Sequence, residues 1–142
     1  MKPITENIKI FIDKNQVSTV CFVDGNNHPY CINCFYVFDS SSAILIFKSS
    51  HSTKHDSFIK SGEPTSGTII EDQIDVTKLK GIQFTGILIN QQQIIENKLQ
   101  LLYTTKFPMS IAIPGYLWGI QLQYLKFTDN SFVFRNKTIW EK

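Results

Sequence analysis

No apolar run in this chain approaches the ~20 residues that a membrane-spanning helix needs. The N-terminus, Met1, Lys2 and Pro3 followed by an amphipathic stretch, lacks the apolar block of a secretory signal, so a cytoplasmic protein is expected. Cysteine is scarce: Cys21, Cys31 and Cys34. An odd number without a secretion signal argues for free thiols rather than a disulfide framework. Charge is scarce as well, at 18% of residues with a net of +2, which gives no footprint for nucleic acid or a membrane surface. Gly-x-Ser-x-Gly and Gly-rich phosphate loops are absent, and His28, His51 and His55 are the only histidines, so nothing supports a hydrolase. What the chain has is apolar material: 42% hydrophobic and 13% aromatic, with eleven Phe. That suffices for a core, and with so little charge some apolar surface is expected to be covered by a partner.

The hydrophobic periods predict one domain over residues 1–142. Ile4, Ile8, Phe11 and Ile12 make one stripe of a helix over 4–14, which Asn15 can end. Strands follow at 17–23 and 28–38, joined by Asp24-Gly25-Asn26-Asn27, where Gly and Asn accept positive φ. A short apolar strand at 43–48 reads as central. A short helix is expected over 53–60, with Thr53 and Asp56 placed as a capping box. Strands at 65–70 and 81–90 come next, then a helix over 91–105 capped by Asn90, with Ile95, Leu99, Leu102 and Tyr103 as its apolar face. Residues 107–115 read as an irregular crossing. Trp118, Ile120, Leu122 and Tyr124 alternate with polar or small residues as a half-buried strand. Turns at 128–130 and 135–137 flank a return strand at 131–134, and 138–140 closes the chain. Short strands with frequent turns and few helices favour a mainly β fold, a β-barrel with appended helices.

Lys48-Ser49-Ser50-His51-Ser52-Thr53-Lys54-His55 sits where a buried strand should end and a helix begin. Amides at a helix N-terminus favour an anion; Ser49, Ser50 and Thr53 add hydroxyls, and Lys54 and His55 add positive charge. The cluster fits a phosphate, but Ser/Thr/Lys clusters are common in loops, and from pattern alone a solvated turn with an ordinary helix cap is the favoured reading. Cys31-x-x-Cys34 near His28 has zinc-like composition, but both thiols lie within one expected strand, where i and i+3 point to opposite faces; no metal site and no redox pair is read there. The aromatics Phe35, Tyr36, Phe38, Phe84, Phe107 and Trp118 read by default as core, although a flat ligand between subunits would also use such residues.

Residues 33–55 resemble the flavin-binding stretch of pyridoxamine 5′-phosphate oxidase, in the FMN-binding split-barrel superfamily. Asn33-Cys34-Phe35-Tyr36-Val37-Phe38 falls on the strand that lines the flavin there. Lys48-Ser49 falls on an aromatic-Thr pair, and Thr53-Lys54-His55 on the Ser-Arg-Lys that reaches the phosphate. Asn33 stands where the oxidase has a phosphate-binding Arg, and His55 replaces a Lys. The chain is closer still to the uncharacterised bacterial YhbP-like group. Asn33 to Asp39, Gly81-Ile82-Gln83-Phe84-Thr85-Gly86, the stretch from Lys106-Phe107-Pro108 through Trp118, Lys126-Phe127-Thr128-Asp129-Asn130 and Ile139-Trp140 carry that resemblance.

The resemblance implies a homodimeric split barrel with a cofactor site at each side of the interface. In an FMN-binding oxidoreductase of this kind, Ser49, Ser50, Thr53 and Lys54, helped by His55 and beside Lys48, would hold the phosphate. Asn33, Cys34 and Phe35 would line the ring, Gln83 would meet flavin oxygens, and Trp118 of the second subunit would form the opposite wall. The other expectation is a non-enzymatic dimeric module whose pocket is empty or takes another planar ligand, haem or F420. Neither expectation includes nucleic acid or a membrane as partner.

Overall fold

The computed structural model describes residues 1–131 and 136–142. The expected return strand at 131–134 and the start of the turn at 135–137 fall largely on residues outside that description. The elements run α1 (Glu6–Lys14), β1 (Val17–Val23), β2 (Pro29–Asp39), β3 (Ile44–Ser49), β4 (Pro64–Ile70), β5 (Lys80–Ile89), α2 (Gln91–Glu96), α3 (Gln100–Lys106), β6 (Tyr116–Asp129) and β7 (Asn136–Glu141). The strands hydrogen-bond in the order β3-β2-β1-β4-β5-β6-β7, all antiparallel, and a further β3–β6 ladder closes the first six into a barrel. Closure pairs most of each barrel strand on both sides and leaves β7, bonded to β6, as an outer strand.

The barrel fills with the inward residues of each strand. Val20, Phe22, Tyr36, Phe38, Leu45, Phe47, Ile69, Ile82 and Phe84 are buried there, and α1 adds Ile8, Phe11 and Ile12. The Tyr36 hydroxyl donates to the Ile12 carbonyl at 2.7 Å, which gives the one polar atom of that ring a partner and fixes α1 on the barrel. β3 is buried on both faces, as its unbroken apolar run implies: Leu45 and Phe47 face the barrel interior, while Ile44 and Ile46 pack under Ile94, Leu99 and Tyr103 of the α2–α3 region.

Three expectations need correction. The single helix over 91–105 is two helices. Asn90 and Gln93 form the expected capping box, but Lys98 takes φ 58° and ends the first helix. The break rotates the apolar face, so Ile94, Leu99 and Tyr103 are buried, whereas Ile95 and Leu102 are exposed. β6 runs on through Thr128 and Asp129, which pair with β5 and β7. A bulge shifts its register opposite Thr85 and Gly86, so the alternation changes phase: Leu122 and Leu125 point inward and Tyr124 does not. Asn136 and Lys137, expected in a turn, already belong to β7.

Candidate functional site

The barrel splits at one place. β2 pairs with β3 only from Tyr36 opposite Phe47 to Asp39 opposite Ile44. Below Tyr36, β2 stays with β1 alone, while Lys48 and Ser49 of β3 continue along β6 opposite Leu117 and Tyr116. The diverging strands leave a cleft of about 560 Å³. Nine of the eleven residues expected at the site line it: Asn33, Cys34, Phe35, Lys48, Ser49, Ser50, Thr53, Lys54 and His55. Tyr30 and Tyr103 add aromatic walls, and Ser110, Ile113 and Pro114 of the crossing segment close one side.

That crossing is held tightly to the loop after β3. Gly115 has φ +141°, and a Cβ there would stand 2.3 Å from the Ser49 carbonyl oxygen. The Lys48 ammonium donates to the Ser110 carbonyl from the other side. Lys48 therefore braces the wall.

The loop after β3 does not become the expected helix. It forms a single 3-10 turn, Lys54–Ser57, and the Thr53 side chain does not cap it. The Thr53 hydroxyl instead donates to the Ser50 carbonyl at 2.7 Å. So short a turn supplies no helix dipole for an anion.

His55 also differs from the expectation of a positive charge. It is 5% exposed, stacked on Phe22 with ring centroids 5.5 Å apart. Its Nε2 lies 2.8 Å from Ser49 Oγ and 3.3 Å from Thr53 Oγ1. Burial holds the imidazole below its usual pKa, with Asp56 acting weakly the other way. A neutral ring carries one N–H. The Thr53 hydroxyl hydrogen is committed to Ser50, so Thr53 can only accept from Nε2; in the Nε2–H tautomer Ser49 shares that hydrogen and keeps its own for a ligand, and in the Nδ1–H tautomer Ser49 donates to the ring.

Lys54 is the cation the cleft can offer. Its Nζ sits 4.9 Å from the Tyr30 ring centroid, and among the described residues it has no carboxylate within ion-pair distance. Asn33 Oδ1 accepts from the Thr19 hydroxyl at 2.7 Å. The Cys34 thiol is pushed up to about 12 by burial, so it stays protonated. The Tyr103 hydroxyl is likewise pushed up to about 12, chiefly by burial. Phe35 is 55% exposed at the mouth, its ring 5.5 Å from that of Phe107.

Gln83 and Trp118 lie away from this cleft. Gln83 is exposed on the outer face of β5, opposite Thr68 and Lys126. Trp118 borders a separate hollow of about 380 Å³ with Asn90, Gln91, Ile95 and Tyr116, and its buried indole N–H has no partner among the described residues. The sequence reading did not assign Tyr30, Tyr103 and Ser110 to the site. Tyr103 carries a helix-face signal, and nothing local to Ser110 marks it.

No protein-family model matches the chain. A UPF0306 protein of Photorhabdus laumondii is 30% identical over 141 residues, covering 97% of this chain and 98% of its own length. The UPF0306 protein YhbP of Salmonella schwarzengrund is 29% identical over 130 residues, 92% of this chain and 88% of its own. Among solved structures, a pyridoxamine 5′-phosphate oxidase-related, FMN binding protein of Nostoc punctiforme superposes with a TM-score of 0.71 at 10% identity, covering 100% of this chain and 92% of its own. A heme binding protein of Mycobacterium smegmatis gives 0.74 at 9% identity, over 97% of this chain and 59% of its own. The heme storage protein HutZ of Vibrio cholerae gives 0.67 at 14%, over 86% and 92%. At these identities the structures speak for the fold alone. The fold is therefore the split barrel of the oxidase-related proteins, and the chain belongs to the UPF0306 family that includes YhbP.

Proposed function

We propose that the chain binds FMN in the cleft between β2 and the loop after β3, and acts as a flavin-dependent oxidoreductase when paired with a second copy of itself. Residues 1–142 form one domain in this reading. The observation that carries it is the lining of one cleft, which divides into Lys54, a cation without a carboxylate partner among the described residues, with the Ser49 and Ser50 hydroxyls, and the aromatic rings of Tyr30, Phe35 and Tyr103. A ligand with a phosphate at one end and a planar ring at the other matches that division.

Lys54 would hold the phosphate, with Ser49 and Ser50 donating hydrogen bonds. His55, neutral and fixed by Phe22, orients Ser49 rather than touching the phosphate. The β2 segment Asn33 to Phe35 would line the ring, and Phe35 would shield it from water. FMN, when bound, supplies hydride or single-electron transfer; the chain binds it, orients it and excludes solvent. Met109, Ile111 and Ile113 are exposed in the crossing segment just after Phe107, whose ring meets that of Phe35, and would be covered by the second copy.

Haem is the competing ligand, because structural neighbours are described as binding or storing it. An axial histidine needs a free ring nitrogen. The histidine lining this cleft, His55, is 5% exposed and stacked on Phe22, with Nε2 engaged by Ser49, so the ring is not presented to a ligand in the cleft, which favours the flavin.

The test is the absorbance spectrum of the purified protein, followed by equilibrium dialysis against FMN and against haem. Retained flavin or saturable FMN binding is expected. Haem binding without FMN binding would replace this reading.

A further inference from the structure

Cys31 and Cys34 share a strand and point apart, but the fold brings Cys31 to a different thiol. In the β1–β2 hairpin Cys21 lies directly opposite Cys31. The type of pair follows from hydrogen bonds at both ends of the hairpin. The Asp24 amide donates to the His28 carbonyl at 2.9 Å, and the Tyr36 amide donates to the Gln16 carbonyl at 3.1 Å. Hydrogen-bonded pairs therefore recur every second residue from 24/28 to 16/36, and Cys21/Cys31 falls between them. Such non-hydrogen-bonded pairs have Cα atoms about 4.5 Å apart, with the side chains at their closest. That lies within the ~4.4–6.8 Å that a disulfide requires.

The next pair of the same kind, Thr19 and Asn33, has its side chains in hydrogen-bond contact at 2.7 Å, so this face of the hairpin does bring its side chains together. All three cysteines are free thiols. Cys31 is exposed and Cys21 partly so, which gives an oxidant access to one sulfur and keeps the second beside it. Cys21 is held protonated by burial and by a hydrogen bond with Cys31.

We propose that Cys21 and Cys31 form a reversible disulfide across the β1–β2 hairpin, driven by a low-molecular-weight disulfide such as oxidised glutathione. The Cys31 thiolate attacks the glutathione disulfide; its S–S bond breaks, a Cys31–glutathione bond forms, and one glutathione leaves as a thiol. Deprotonated Cys21 then attacks Cys31 Sγ, the protein disulfide forms, and the second glutathione leaves. Two protein thiols are oxidised and one glutathione disulfide is reduced to two thiols, with the protein's two thiol protons carried by the departing glutathiones. The bond lies two residues from Asn33, so it would lock the strand that forms one wall of the cleft.

The experiment treats the full reduced chain with oxidised glutathione, then denatures it, alkylates free thiols and weighs the product. The wild type should lose two hydrogens, keep no glutathione and alkylate only at Cys34, and dithiothreitol should restore all three thiols. Cys21→Ser should retain glutathione on Cys31, because the resolving thiol is gone. Cys31→Ser should stay fully reduced, and Cys34→Ser should still form the bond. Three alkylated thiols in the oxidised wild type, stable glutathione on its Cys31, a bond through Cys34 or a bond between chains would each overturn the proposal.

Discussion

Ser49 and His55 are held together by a 2.8 Å contact in the buried floor of the cleft, six residues apart in sequence but on opposite sides of the loop that would meet the phosphate. Burial, with Phe22 stacked on the ring, keeps the imidazole neutral. The folded chain resists protonation of His55, whereas an unfolded imidazole titrates near ~6.5. As pH falls through that value the unfolded state takes up a proton that the folded state refuses, so stability drops. The contribution is complete above the unfolded pKa and disappears as pH falls through the lower folded value. Urea midpoints should therefore fall more steeply between about pH 7.5 and about pH 5.5 in the wild type than in His55→Gln. Parallel curves would show that His55 is not buried as described.

In the proposed site Lys54→Ala would remove a charge-assisted phosphate contact worth roughly 1.5–3 kcal/mol. FMN should bind on the order of ten- to a hundred-fold more weakly, with the thermal midpoint unchanged. Lys48→Ala should behave differently. It releases the 108–115 crossing from its Ser110 tether and should lower stability as well as affinity.

Gly115 permits the crossing to lie against Ser49. Gly115→Ala forces a side chain into a positive-φ backbone and against the Ser49 carbonyl. The expected cost is about 1–3 kcal/mol in urea denaturation, together with weaker FMN binding as the wall moves. A neutral substitution would mean that the crossing does not close the cleft.

The rim of Met109, Ile111 and Ile113 leaves large apolar side chains in solvent, with Met109 79% and Ile111 75% exposed. Analytical ultracentrifugation should find the wild type as a dimer. Ile111→Glu, which places a charge where a partner would sit, should yield monomers with weaker FMN binding. A monomeric wild type would remove the second copy from the account.

The barrel strands were legible because period-2 patterns and the Asp24-Gly25-Asn26-Asn27 turn are local signals: β1 was expected at 17–23, where it lies, and β3 was read as central. The break at Lys98 was not, since a lysine at positive φ carries no sequence signature and the α2–α3 packing imposes it. The change of phase in β6 depends on a bulge against β5, a relation between distant segments. The loop 48–55 was legible as a cluster of phosphate-binding residue types. Its division of labour was not: Lys48 reaches a carbonyl 62 residues away, and His55 loses its charge to burial under Phe22. The pairing of Cys21 with Cys31 required the hairpin register.

The central claim is that the cleft recognises a flavin by its phosphate. Isothermal titration of the purified protein with FMN and with riboflavin, side by side, tests it most directly, because the two ligands differ only by that group. The account predicts saturable FMN binding and riboflavin weaker by on the order of tenfold or more, the value of one charge-assisted contact. Equal affinities, or no binding of FMN, would contradict it.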